Sequence, residues 1–201
     1  LGGLIETTAV SLAAAGIGRG DRVAIVLPNG PEMAAAFIAV AASATTAPLN
    51  PAYREDEYDF YLADLGAKAL IVAAGDTGPA VEVAKRHGAK ILRLGHDEAG
   101  PAGKFTLELD GAAGAPAAAG YAEADDVALV LHTSGTTSRP KIVPLLQRNL
   151  VASARHIGET LKLSPADRCL NIMPLFHIHG LIAAVLSSLA AGASGSCTPD
   201  F

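Results

Sequence analysis

Residues His132 to Lys141 read HTSGTTSRPK and follow directly on an apolar run, Val127 to Leu131. Hydroxyls on Thr133, Ser134, Thr136 and Thr137 surround Gly135, and Ser138 adds another before Arg139 and Lys141. Hydroxyls and backbone N–H groups donate to phosphate oxygens, glycine lets the backbone come close, and lysine supplies a mobile positive charge. A segment of this make-up can hold a polyphosphate. It is not a Walker A loop, which requires G-x-x-x-x-G-K-[ST]: the fifth residue after Gly135 is Pro140, and Ile142 follows Lys141. Composition alone also fits an ordinary surface loop.

A second segment, Met173 to Gly180, reads MPLFHIHG and holds His177 and His179 as an H-x-H pair. On a strand that spacing would put both imidazoles on one face. A zinc site needs at least three protein ligands, and no cysteine pair or H-x-x-E-H pattern lies near, so no metal site is expected. His132 reads as structural. Glu55, Asp56, Glu57 and Asp59 read as a solvated helix face. Cys169 and Cys197 lack the spacing of a disulfide framework and read as reduced thiols of a cytoplasmic protein.

These segments need a frame to position them. Strands are expected at Arg22 to Leu27, Thr45 to Leu49, Ala69 to Ala73, Lys90 to Leu94, Val127 to Leu131, Lys141 to Leu145 and Arg168 to Met173. A further short one is expected at Phe105 to Leu109. Helices are expected at Gly3 to Ala15, Glu32 to Ala44, Arg54 to Leu65, Pro79 to His87, Asn149 to Leu161 and Leu181 to Ala191. Glycine and proline punctuate nearly every boundary. Strands alternating with helices of about three turns predict an α/β fold, a doubly wound and mostly parallel sheet with flanking helices. Gly111 to Gly120 (GAAGAPAAAG) reads as a low-complexity surface loop.

The 201 residues carry 15 basic and 20 acidic side chains, a formal charge of −5. Half are hydrophobic and 17% charged, which suits a sizeable core and argues against disorder. The acidic balance, the lack of a Lys/Arg run and 4% aromatics point away from nucleic acid. The apolar stretch Leu181 to Ala193 is broken by Ser187 and Ser188 and is shorter than the ~20 residues of a membrane span. It reads as a buried helix.

Taken as a string, TSGTT-x-x-PK after an apolar strand resembles the phosphate loop of the adenylate-forming enzymes, the superfamily of acyl-CoA synthetases, peptide-synthetase adenylation domains and luciferases. MPLFHIHG is similar to that family's next motif, Pro-x-Phe-His-x-x-Gly. Arg19 to Glu32 (RGDRVAIVLPNGPE) resembles its early strand–helix unit, and Asn50-Pro51 before an amphipathic helix also fits. Ser138 and Ile142 stand where the family usually has glycine, and Leu146-Gln147 replace a Thr/Ser-His pair. TSGTTSRPK with FHxHG resembles most the oxalate–CoA ligase branch, with malonyl-CoA synthetases nearby.

The resemblance implies an ATP-dependent ligase that activates a small carboxylic acid, here a short diacid such as oxalate, and passes it to coenzyme A with Mg²⁺ present. It assigns nucleotide phosphate binding to Thr133, Ser134, Gly135, Thr136, Thr137, Ser138 and Lys141. It gives His177 a catalytic role, and substrate binding to His177, His179 and Gly180. Arg139 is either a branch-specific phosphate contact or exposed. Family members run to roughly 500 residues, and segments supplying the Mg²⁺-binding Glu, the ribose-binding Asp and a catalytic Lys find no counterpart here. The chain thus reads as a fragment of an N-terminal AMP-binding domain, without the C-terminal lysine domain and inactive alone. The other reading is a non-catalytic nucleotide-binding or interaction module with a degenerate loop.

Overall fold

Proline opens helices and glycine closes them along this chain, and the alternation follows from that punctuation. The computed structural model describes residues 1–133 and 140–198. Its first half runs α1 (Gly2–Ala14), β1 (Arg22–Val26), α2 (Pro31–Ala41), β2 (Thr45–Pro48), α3 (Glu55–Leu65), β3 (Ala69–Ala73), α4 (Pro79–Arg86) and β4 (Lys90–Gly95). Pro31 and Pro79 are the first residues of their helices, where a missing N–H costs nothing. Gly66 ends α3 in the left-handed region at φ 54°, where a side chain would be strained. The second half runs β5 (Thr106–Leu109), β6 (Val127–His132), β7 (Ile142–Leu146), α5 (Gln147–Leu161) and β8 (Arg168–Asn171). A π-helical segment, His179–Leu186, then leads into α6 (Ser187–Ala190) and β9 (Ser194–Cys197).

Seven strands form one sheet in the order β5-β4-β3-β1-β2-β6-β7. The five inner strands are parallel, and β5 and β7 close the edges antiparallel. Both faces are covered, so the inner strands are apolar throughout rather than alternating. Val23, Ile25, Ile71 and Leu92 pack on one face with α1, α2, α5 and the π-helical segment. Ala24, Val26, Leu70 and Val72 pack on the other with α3 and α4. This is the doubly wound arrangement expected from the alternation. The Thr45 and Thr46 hydroxyls donate to the carbonyls of Val127 and Ala128, at 2.6 and 3.1 Å, tying β2 to β6.

Beyond shifts of one or two residues at other boundaries, four details differ from the sequence expectations. The helix expected from Leu181 begins at His179 and is π-wound, the Ser187 hydroxyl donating to the Ile182 carbonyl at 2.7 Å. Its burial is as expected, with Leu181, Ile182, Ser187 and Ser188 inside. The strand expected to reach Met173 stops at Asn171, because the Asn171 side chain turns the chain by bonding the backbone of Met173. Helix α2 stops at Ala41 rather than Ala44. Strand β9, which pairs parallel with β8, has no β-branched residue to announce it. Residues 111–120 lie on the surface, touching the body where the Ala117 N–H donates to the Ala13 carbonyl.

Candidate functional site

In open α/β sheets, ligands bind outside the carboxyl ends of the strands. Strands β1, β2 and β6 are parallel neighbours, so the turn after β1 and the segment after β6 leave the same edge of the sheet. The HTSGTTSRPK segment begins at that edge. The β6–β7 ladder ends with His132 opposite Ile142. Beyond it, the Thr133 N–H donates to the Lys141 carbonyl at 3.0 Å, and the Lys141 N–H donates to Thr133 Oγ1 at 3.3 Å. These two bonds bring Thr133 and Lys141, the outer members of the expected phosphate set, together at a neck. Both residues are exposed. Ser134, Gly135, Thr136, Thr137, Ser138 and Arg139 lie outside the described residues.

Ile142, in the place of the family's usual glycine, is the first residue of β7 and packs against the cluster under α3 and α4. Leu146 and Gln147, the other departures, sit at the start of α5. There the Leu146 N–H donates to Asn149 Oδ1 at 2.9 Å, and the Gln147 amide reaches the Ala41 carbonyl.

His132 is not in solvent. Its side chain is 6% exposed, and Nε2 lies 3.1 Å from Asp64 Oδ2 on α3. The imidazole meets the Tyr61 ring edge-on at 4.6 Å, with Phe60 at 6.5 Å, while Tyr53 stacks on Tyr61 at 4.8 Å. Burial holds this imidazole below the usual histidine range, and Asp64 opposes that effect in part.

The Met173 to Gly180 segment is a turn rather than a strand, so His177 and His179 are not paired on a strand face. His177 precedes the helix and His179 is the first residue of its π-helical part. Both side chains are exposed, and so is Ile178 between them. Gly180 is buried, and a Cβ there would lie 2.6 Å from the Pro174 carbonyl oxygen, so only glycine closes this turn. The turn is fixed from the far end of the chain. Asn29 Oδ1, just after β1, accepts from the Leu175 N–H at 3.0 Å, and its Nδ2 donates to the Thr198 carbonyl at 2.8 Å. Asn29 therefore brings the histidine turn to the same sheet edge as the Thr133–Lys141 neck.

Sequence reading held Asn29 only as part of the Arg19 to Glu32 segment and overlooked Asp64. Each acts on a partner far along the chain, and the only available signal was Asn29 lying inside the VLPNGPE motif.

The acidic cluster is a solvated, paired surface. Glu57 accepts from the Arg54 N–H at 2.9 Å and caps α3. Glu55 meets Arg86 at 2.5 Å, and Asp59 meets His87 at 3.0 Å. His87 and then Arg86 hold the Asp59 carboxyl below the usual range. Cys169 and Cys197 are unbridged and half-buried, and burial pushes the Cys197 thiol up. They line an apolar groove of about 930 Å³ between α1, α2 and the β8–β9 pair, which none of the described site candidates borders. Among the described residues no helix is long and apolar enough to cross a membrane.

The AMP-binding enzyme family model matches residues 4–201. Oxalate–CoA ligase of Arabidopsis thaliana is 43% identical over 95% of this chain and 38% of its own length. Oxalate–CoA ligase of Saccharomyces cerevisiae is 40% identical over 85% of this chain and 35% of its own. The chain thus spans under two-fifths of these relatives. Among solved structures, ATP-bound MatB from Rhodopseudomonas palustris superposes with a TM-score of 0.78 at 28% identity, over 98% of this chain and 39% of that one. o-Succinylbenzoate CoA synthetase from Bacillus subtilis, in complex with its acyl-adenylate intermediate, superposes with a TM-score of 0.75 at 27% identity, over 99% and 48%. With the Thr133–Lys141 neck and the histidine turn on one carboxyl edge of a doubly wound sheet, and the family model matching residues 4–201, the chain belongs to the AMP-binding enzymes.

Proposed function

We propose that this chain is the nucleotide-holding part of an AMP-forming acid–thiol ligase that acts in the cytoplasm on a short diacid such as oxalate. A substrate carboxylate oxygen attacks the α-phosphorus of ATP, and the bond to the β-phosphate oxygen breaks to release pyrophosphate. The coenzyme A thiol then attacks the acyl carbon of the adenylate, and AMP leaves. Thr133, Ser134, Gly135, Thr136, Thr137, Ser138 and Lys141 hold the β- and γ-phosphates and stabilise the charge on the departing pyrophosphate. His177, with His179 and Gly180, forms the acid side, where an imidazole donates to a carboxylate. Among the described residues no three carboxylate, imidazole or thiol groups converge on a metal position, and the Mg²⁺ of the reaction would enter with the ATP phosphates.

One observation carries the reading. Asn29 ties the His177 turn to the carboxyl edge of the sheet where the Thr133–Lys141 neck opens, so one bound nucleotide can reach both. The diacid follows from chemistry and kinship. A second carboxylate must be paired once buried, since an unpaired buried charge is costly, and FHxHG offers two imidazoles. The relatives with 43% and 40% identity are oxalate–CoA ligases.

The test measures kcat/KM of the full-length enzyme for oxalate, malonate, acetate and octanoate, in wild type and His177→Ala. The expected result is preference for a two- or three-carbon diacid, most of it lost in the variant. A wild type that prefers octanoate sinks the diacid reading. The 201-residue chain by itself is expected to show no acid-dependent exchange of pyrophosphate into ATP.

A further inference from the structure

We propose that His132 and Asp64 form a latch that sets the position of the phosphate-loop neck, making both of them positioning residues for ATP. The inference rests on the ligase reading for its kinetic half and on geometry for the rest.

His132 is the last residue of β6 with a ladder partner. Beyond it the chain is held by the two neck bonds between Thr133 and Lys141. The backbone of the neck therefore continues directly from His132, whose side chain is anchored on α3. The imidazole is wedged against Tyr61 and Phe60 of α3, and Nε2 meets Asp64 of the same helix at 3.1 Å. An ionised carboxylate only accepts, so Nε2 carries the hydrogen and the tautomer is defined. Asp64 is 40% exposed and caps neither end of its helix. Burying a polar imbalance is not what holds it there. Its described partner is the imidazole that precedes the loop.

A packing role alone would be met by any ring at position 132. The hydrogen bond adds a direction to the ring, and through the ring to Thr133, whose hydroxyl and N–H both face Lys141. Small misplacement of groups that hold a substrate shows in its kinetics before it shows in stability.

The experiment uses the full-length protein as Asp64→Ala, His132→Ala and the double variant. Asp64→Ala is a mild change on an exposed helix position and keeps the aromatic packing, so it serves where His132→Ala folds poorly. Two quantities are read. The first is the amide exchange rate of Thr133 in the free protein, by mass spectrometry with residue-level fragmentation. The second is the ATP KM and kcat of acid-dependent pyrophosphate exchange into ATP.

We expect both single variants to speed Thr133 exchange and to raise the ATP KM by about tenfold, with kcat and the acid KM held within about threefold. The double variant should be no worse than the worse single one, because both remove the same bond. An Asp64→Ala protein with wild-type Thr133 exchange and wild-type ATP KM overturns the latch. So does a double variant whose effects simply add. If the wild type activates no acid at all, the ligase reading fails, and the Thr133 exchange rate alone decides the latch.

Discussion

In the proposed ligase reaction Lys141 acts through its charge. Its backbone is fixed at the neck while its side chain is exposed at the sheet edge. Removing the ammonium in Lys141→Ala should cost about 1.5–3 kcal/mol of transition-state stabilisation, or roughly 10–100-fold in adenylation. The loss should fall on the first half-reaction and spare transfer from supplied acyl-adenylate to coenzyme A. Equal losses in both halves would mean that the fold, not the phosphate contact, was damaged. At this scale the sequence was readable where candidate residues sit in local strings. TSGTTSRPK and FHIHG pointed to their own residues. Gly180 was readable as part of a motif, but its reason, a carbonyl 2.6 Å from where a Cβ would stand, was not. Asn29 and Asp64 were silent because their partners lie 146 and 68 positions away.

Helix α3 is the element that links the surface to the site. Its first turn is acidic, as suits the positive end of a helix dipole, and Arg86 and His87 of the α4 end clamp its outer face. Its inner end meets His132. Because burial lowers the affinity of that imidazole for a proton, the unfolded chain binds the proton more readily than the folded one. Stability from this group is therefore present above the unfolded histidine value of about 6.5 and is lost as the pH falls through the lower folded value. Urea unfolding between pH 7.5 and 5 should show this slope in the wild type and a shallower one in His132→Phe, which keeps a ring and cannot titrate. Identical slopes would refute the assignment. Element positions were legible to within a few residues wherever Gly or Pro marked an end, as at Gly66, Pro31 and Pro79. Strand direction was not. Apolar runs such as VALVL and IVPLL look alike, and nothing in them says that one pairs parallel with β2 and the next turns back on it.

For the whole molecule, the layer architecture followed from β/α alternation, and the family pattern followed from motif order. The small β8–β9 pair escaped notice because a four-residue SGSC strand carries no burial pattern, being exposed along most of its length. The order of the main sheet has a consequence in time. Strand β1 pairs with β2 and β3, its close neighbours in the chain. Strand β6 must instead return to β2 across 82 positions, where the Thr45 and Thr46 hydroxyls receive it. Closing so long a loop costs entropy before any contact rewards it, each doubling in length adding about 0.6 kcal/mol, and distant pairings form late. During refolding, pulse-labelled hydrogen exchange should find the amides of β1 and β3 protected before those of β6. Simultaneous protection would contradict that order. A chain that folds in this sequence assembles its scaffold first and the edge bearing the Thr133–Lys141 neck last, so under the proposed function a half-refolded molecule cannot engage ATP before the sheet beneath the neck is complete.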